Sequence, residues 1–258
     1  MNFDIISLSI IQGISEILPI SSSVNLHFFS KLLHINNFTF DLKVALHAGS
    51  LVTLLIYFYR EICDICRGLF GKKGVHETYF MPLVLGTIPV VLVGYFSHDF
   101  VKEFDSPKIM GILSIIFGIL LYVFDKFSYV SKADRNGISL AKAFFIGCCQ
   151  AIAIFPGISR LGICITASRM LGLSRRKAID FSLMLAIPSI FGSLVLELFS
   201  CGKNSQCTSF PLNSVLGVVL TALIGLIVIL PCVRLMERKG FFAMMVYRIL
   251  IGVAICVF

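Results

Sequence analysis

Residues Gln12–Asn25 read QGISEILPISSSVN, and the fold turns on how they are read. A carboxylate (Glu16), a proline (Pro19) and three consecutive serines (Ser21, Ser22, Ser23) interrupt otherwise apolar sequence. A second stretch, Gln150–Cys164, reads QAIAIFPGISRLGIC and echoes the first. Each opens on Gln and reaches a Ser nine residues later, Gln12 to Ser21 and Gln150 to Ser159, with a Pro just before that Ser. Arg160 in the second stretch falls where Ser22 sits in the first. Two helix-breaking polar segments at corresponding positions in two hydrophobic halves point to a binding site at membrane depth.

Outward from these stretches the chain is apolar from end to end. Of its 258 residues 57% are hydrophobic and only 14% charged, with a mean hydropathy of +0.95. Such a composition excludes a soluble domain and predicts an integral membrane protein. The first 30 residues hold no Lys or Arg, so no cleavable signal peptide is expected. A net charge of +8 reads mainly as Lys and Arg in cytoplasmic loops, and also suits anionic lipids or a phosphate-bearing substrate. With no soluble basic domain, nucleic acid binding has no support. Most of the nine cysteines lie in apolar segments, as small hydrophobes do. The Cys63/Cys66 pair has no second pair or histidines beside it for zinc. Cys201 and Cys207 flank a polar loop and can pair if it faces an oxidising compartment.

The order of runs gives the architecture. An apolar region at 3–33, broken near Pro19, is followed by runs at 43–59, 80–97 and 108–125. A second broken region at 143–172 is followed by runs at 181–199, 213–231 and 241–258. Each unbroken run approaches the ~20 residues a helix needs to cross a bilayer core. Three crossings per half place the second half upside down relative to the first. The expected fold is therefore an all-α integral membrane protein with an inverted-topology repeat, each half a broken, re-entrant hairpin plus three transmembrane helices. It is one polytopic domain over 1–258, with half one at 1–125, a cytoplasmic linker at 126–142 and half two at 143–258. Loops 60–79, 126–142, 173–179 and 232–240 are basic, while 98–107 and 200–212 are not. The alternation puts every basic loop on one side, cytoplasmic by the positive-inside rule. The repeat of GSLV at 49–52 and 192–195 is consistent with duplication.

The breaks carry the chemistry. Residues after a break present free backbone N–H groups at a helix N-terminus, a cradle for phosphate oxygens. The three serines add hydroxyls, and Arg160 adds a planar donor fork suited to phosphate. Glu16 and Arg160 are charges inside apolar segments, functional by default, with a structural ion pair as the alternative. The serines have helix packing as theirs. Gln12 and Gln150 are expected to bond each other or the hairpin backbones. His47 reads as a hydrogen-bonded core residue, or as a proton donor near neutral pH. Lys43 is expected to snorkel, and Asp180 to cap the helix that follows the basic turn Arg175–Lys177.

On these residues the sequence resembles the undecaprenyl-diphosphate phosphatase (bacitracin-resistance) family. Gln12 to Asn25 is similar to its motif (E/Q)G-x-(S/T)-E-F-L-P-(I/V)-S-S-(S/T)-G-H, and Pro156 to Cys164 to its PG-x-SRSG-x-T. The likeness extends to FDLKVALHAGS at 40–50, DFSLMLAIP at 180–188 and VYRILIG at 246–252. It implies an enzyme that removes the terminal phosphate of undecaprenyl diphosphate, recycling the lipid carrier of cell-wall precursors. It further implies a bacterial inner-membrane location among membrane lipids, a site open to the periplasm and a divalent cation, Mg²⁺ or Ca²⁺. By resemblance Glu16 is metal ligand or acid/base, Ser22 the candidate nucleophile and Arg160 the phosphate clamp. Ser21, Ser23, Ser159 and Gly157 join the substrate-binding set, and Gln12 stands beside Glu16 for the cation. A homodimer is compatible with all of this. The sequence departs from the family pattern at Val24, Asn25, Leu161 and Cys164. Val24-Asn25 replaces Gly-His, so the family's histidine acid/base is missing, and His27 lies nearly on the opposite side of a helix. Leu161 and Cys164 each cost the cradle a hydroxyl. Metal-assisted hydrolysis is expected to survive the loss of the histidine, more slowly. The competing readings are a lipid-phosphate transporter, which the lost histidine favours, and a structural membrane protein with a degraded site.

Overall fold

The computed structural model describes residues 2–35, 39–69, 76–102, 104, 106–130, 138–204 and 212–257. Lys72, Lys73, Lys132, Arg135 and Cys207, the expected partner of Cys201, lie outside them. Among the described residues every regular element is helical. The first five are α1 (Asn2–Ser15), α2 (Ser22–Leu32), α3 (Phe40–Tyr57), α4 (Tyr59–Leu69) and α5 (His76–Lys102). Then come α6 (Pro107–Lys126), α7 (Leu140–Ala151), α8 (Arg160–Met170), α9 (Arg175–Asn204), α10 (Leu212–Lys239) and α11 (Phe242–Val257). Five of these are long and apolar enough to cross a bilayer: α3, α5, α6, α9 and α10.

Local chemistry sets several of the boundaries. Thr39 caps α3 by accepting from the Leu42 N–H at 3.3 Å. Pro107 opens α6 at a position where no N–H is needed. Prolines also stand inside α5, α9 and α10, as membrane helices tolerate more readily than soluble ones. One expectation fails at residues 59–69. The polar stretch after α3 is not a loop but the separate helix α4, whose Ile62 and Ile65 pack on the core while Arg60, Cys63 and Cys66 stay exposed. Its apolar residues recur at helical spacing, so the polar composition hid an amphipathic helix.

The molecule is apolar outside and encloses polar side chains among its core hydrophobics. Val219, Leu223, Ile227 and Leu230 of α10 are exposed, while Gln12, Ser50, Ser114, Gln150 and Arg248 are buried. Only a lipid surround makes that arrangement favourable, and the chain is a multi-pass membrane protein. α3 packs on α10, α6 on α11, α5 on α7 and α1 on α10. Glycines permit the closest approaches, as small residues do between membrane helices. A Cβ at Gly147 would lie 2.2 Å from the Gly86 carbonyl oxygen, whereas one at Gly192 would meet open space. Gly147→Val is therefore expected to abolish the monodisperse protein in detergent size-exclusion profiles, and Gly192→Val to leave the profile unchanged.

A buried charge cluster ties the helix ends together. Asp125 of α6 accepts from Arg169 Nε at 2.9 Å, and from Arg175 Nη2 at 2.8 Å and Nε at 2.9 Å. Arg175 is thus an ion-pair member at the start of α9, not part of a free basic turn. Asp180 sits a turn and a half inside that helix and accepts from Arg176 at 2.7 Å, so it is no cap.

Candidate active site

Both breaks end in a serine that starts a helix. After α1 the chain runs through Glu16 to Pro19, whose missing N–H and ring prevent the helix from continuing. Ser21 then takes φ 65°, a left-handed conformation rare for a residue with a side chain, and α2 begins at Ser22. Ser21 makes no side-chain capping bond, which leaves its hydroxyl to the cavity it lines. In the second break a 3₁₀ turn, Ile152–Ile154, follows α7, and Phe155 is extended, the conformation favoured before a proline. Gly157 has φ 102°, and a Cβ there would come within 2.5 Å of the Met110 carbonyl oxygen. Only glycine fits that turn. Ser159 caps α8, its Oγ accepting from the Gly162 N–H at 3.1 Å.

The two breaks meet at one cavity of about 60 Å³, roughly two water volumes. Glu16, Ser21, Ser22 and Ser23 line it from the first break, and Ser159 and Arg160 from the second. Free N–H groups at the starts of α2 and α8 accompany them. The Ser22 hydroxyl faces Glu16. Arg160 does not pair directly with Glu16; its Nη1 donates to Ser189 Oγ at 3.2 Å, which holds the guanidinium on α9. The structural ion pair between the hairpins is thereby replaced by two charges facing one cavity. Such a space accepts a compact anion against Arg160, the hydroxyls and the helix starts.

The glutamines do not bond each other. Gln12 Nε2 donates to Glu16 Oε2 at 3.0 Å and to Ser50 Oγ at 3.2 Å, while Gln150 Oε1 accepts from Cys164 Sγ at 3.4 Å. Cys164 is fully buried, so its thiol serves that bond and not a phosphate. Gln12 Oε1 and Ser15 Oγ are buried without a partner beside Glu16. One carboxylate with neutral oxygens suits a hard divalent cation that takes its other ligands from phosphate and water. No group of three His, Cys, Asp or Glu side chains that could hold a metal ion forms among the described residues.

Two features escaped the sequence reading. Asn25 is not an empty acid/base position. Its Nδ2 donates to the Ile20 and Ser21 carbonyls at 3.1 and 2.8 Å, and its Oδ1 accepts from the Tyr247 hydroxyl. It holds the turn that presents the serines. The other feature is Arg248 of α11, completely buried. Its Nε donates to Ser114 O at 3.0 Å, Nη1 to Pro19 O at 3.3 Å and Nη2 to Gly157 O at 3.1 Å. One guanidinium thus joins the two breaks from behind. Its signal in the sequence is an arginine inside the otherwise apolar VYRILIG segment at 246–252.

The profile of the family described as bacitracin resistance protein BacA matches residues 5–254. The chain belongs to that family. A relative named undecaprenyl-diphosphatase from Pelotomaculum thermopropionicum is 36% identical, over 99% of this chain and 96% of its own length. A protein of the same name from Desulforudis audaxviator is 35% identical over 99% and 97%, and one from Alcanivorax borkumensis 33% over 98% and 97%. The BacA match spans both breaks, so the resemblance seen in two motifs holds over nearly the whole chain.

Proposed function

We propose that this BacA-family protein hydrolyses undecaprenyl diphosphate to undecaprenyl phosphate and inorganic phosphate, recycling the lipid carrier of cell-wall precursors. One observation carries the reading: Glu16, Ser22 and Arg160 converge, from two separate breaks, on a single small cavity. Phosphoryl transfer asks a protein mainly for positioning and charge neutralisation, and this set supplies both. Ser22 is the nucleophile. Its Oγ forms the new bond to the terminal phosphorus while the bond to the bridging oxygen breaks toward the lipid monophosphate. Arg160 clamps the non-bridging oxygens with a planar fork. Ser21, Ser23, Ser159 and the helix-start N–H groups complete the cradle, and Gly157 lets the second break turn sharply enough to bring Ser159 there. Glu16, with Gln12 beside it, holds a divalent cation, Mg²⁺ or Ca²⁺. When bound, that ion offsets the negative charge of the diphosphate.

The fold reading that goes with this is an inverted repeat, with halves at 1–125 and 143–258 and a cytoplasmic linker at 126–142. Its support is an exchange symmetry in the packing. Pair α1 with α7, α2 with α8, α3 with α9, α5 with α10 and α6 with α11. The α1–α10 contact then becomes α7–α5, α3–α10 becomes α9–α5 and α6–α8 becomes α11–α2, and both members of each pair are made. The two breaks are re-entrant hairpins, the basic loops face the cytoplasm, and the cavity opens to the periplasmic side of the bacterial inner membrane. Every group named comes from one chain, so a homodimer is not needed to complete the site.

The test is phosphate release from undecaprenyl diphosphate by the purified protein in detergent, with Mg²⁺ and with EDTA. Release that needs the cation and falls by about 10³-fold or more in Ser22→Ala is the expected result. Lipid-phosphate binding without any release would sink the phosphatase reading in favour of a carrier.

A further inference from the structure

Hydrolysis by way of Ser22 has to remove one proton from a hydroxyl and later return one. Among the side chains that line the cavity, a carboxylate and an imidazole are the types that do this work, Glu16 and His47. Glu16 accepts from Gln12 and, in the reading above, holds the cation. That leaves His47.

α3 brings His47 to the wall of the same cavity, partly exposed and within electrostatic reach of Glu16, with no contact ion pair between them. Its Nδ1 lies 3.0 Å from the Lys43 carbonyl oxygen, one helical turn back. A carbonyl only accepts, so Nδ1 carries the hydrogen and the neutral ring keeps its lone pair on Nε2. The helix backbone thus selects the tautomer and fixes the ring plane. Asn25 does not compete for the role, because its amide is spent on Ile20, Ser21 and Tyr247.

We propose that His47 is the general acid/base of this site, an inference that rests on the phosphatase reading. In the first step the Ser22 proton moves to Nε2 as Oγ bonds to phosphorus, and passes from there to the departing lipid monophosphate. In the second, Nε2 takes a proton from the water that attacks the phosphoserine. It returns that proton to Ser22 Oγ as the P–Oγ bond breaks, and inorganic phosphate leaves with the water's hydroxyl. Protons balance over the cycle, and no oxidant or further reactant enters.

The test compares wild type, Ser22→Ala, His47→Gln and His47→Ala in detergent, reading phosphate release and, separately, protection of the protein by inorganic pyrophosphate against thermal unfolding. Both His47 variants are expected to lose about 10²- to 10⁴-fold in kcat while pyrophosphate protects them as it does wild type. Added imidazole is expected to restore part of the rate to His47→Ala and none to Ser22→Ala. Wild-type kcat in His47→Gln, or loss of pyrophosphate protection in both His47 variants, would overturn the assignment. A wild type that releases no phosphate would remove the parent reading and this one with it, and is recognisable before any His47 variant is compared.

Discussion

Arg160→Lys is expected to lower kcat/KM for undecaprenyl diphosphate by about 10³-fold or more, a loss typical of an arginine that stabilises transferring phosphoryl oxygens. The substitution keeps the charge, so the loss reports geometry. Arg160 reaches the cavity from the first residue of α8 and is steadied by Ser189 at 3.2 Å, which leaves the rest of its fork for phosphate. Lysine offers a point charge on a flexible stem and cannot make two parallel bonds to one phosphate. Fold should be spared, because the guanidinium makes one side-chain bond in the protein and does not hold the breaks together. Phosphate release at several substrate concentrations, with size-exclusion as the control, separates the two effects. A variant within about threefold of wild type would mean that Arg160 is not the clamp.

Arg248→Met is expected to act on the structure first. Three backbone carbonyls, at Pro19, Gly157 and Ser114, would lose their donor at once. Each buried acceptor left unsatisfied costs ~1–3 kcal/mol. Releasing a buried charge offsets part of this, since the arginine has three carbonyls but no carboxylate beside it. The orphaned carbonyls win because three buried acceptors lose their partner together, and Pro19 and Gly157 sit in turns outside the helices, where no intrahelical N–H is aimed at them. A net loss of ~3 kcal/mol lowers the apparent Tm of a chain this size by about 10 °C. Thermal unfolding in detergent measures it. An unchanged Tm would show that water or a neighbouring group replaces the guanidinium.

The sequence announced the two breaks because each sets helix-breaking residues and a charge in an apolar run, where chance rarely leaves them. Glu16, the triple serine and Arg160 were legible for that reason, and the structure brings them to one cavity. What stayed hidden depends on distant partners. Asn25 read as a lost histidine, yet its amide acts on the turn five residues back and on Tyr247. Cys164 read as a weakened phosphate donor, but a glutamine fourteen residues earlier takes its thiol. Arg175 read as a loop charge because composition cannot show that Asp125 waits for it at the end of α6. Helix α4 was missed because a single amphipathic turn pattern was judged by its charge and not by its period.

The bond from Arg248 to Pro19 spans 229 residues. In biogenesis the first polar break therefore enters the bilayer long before the side chain that completes it has been synthesised. Until α11 arrives, the Pro19 carbonyl must be served by water or by the insertion machinery, although every residue that lines the cavity precedes that helix in the chain. The same lateness applies to α1 and α3, which wait for α10. Assembly of this protein thus closes when its last helix reaches back to the first break and ties it to the second.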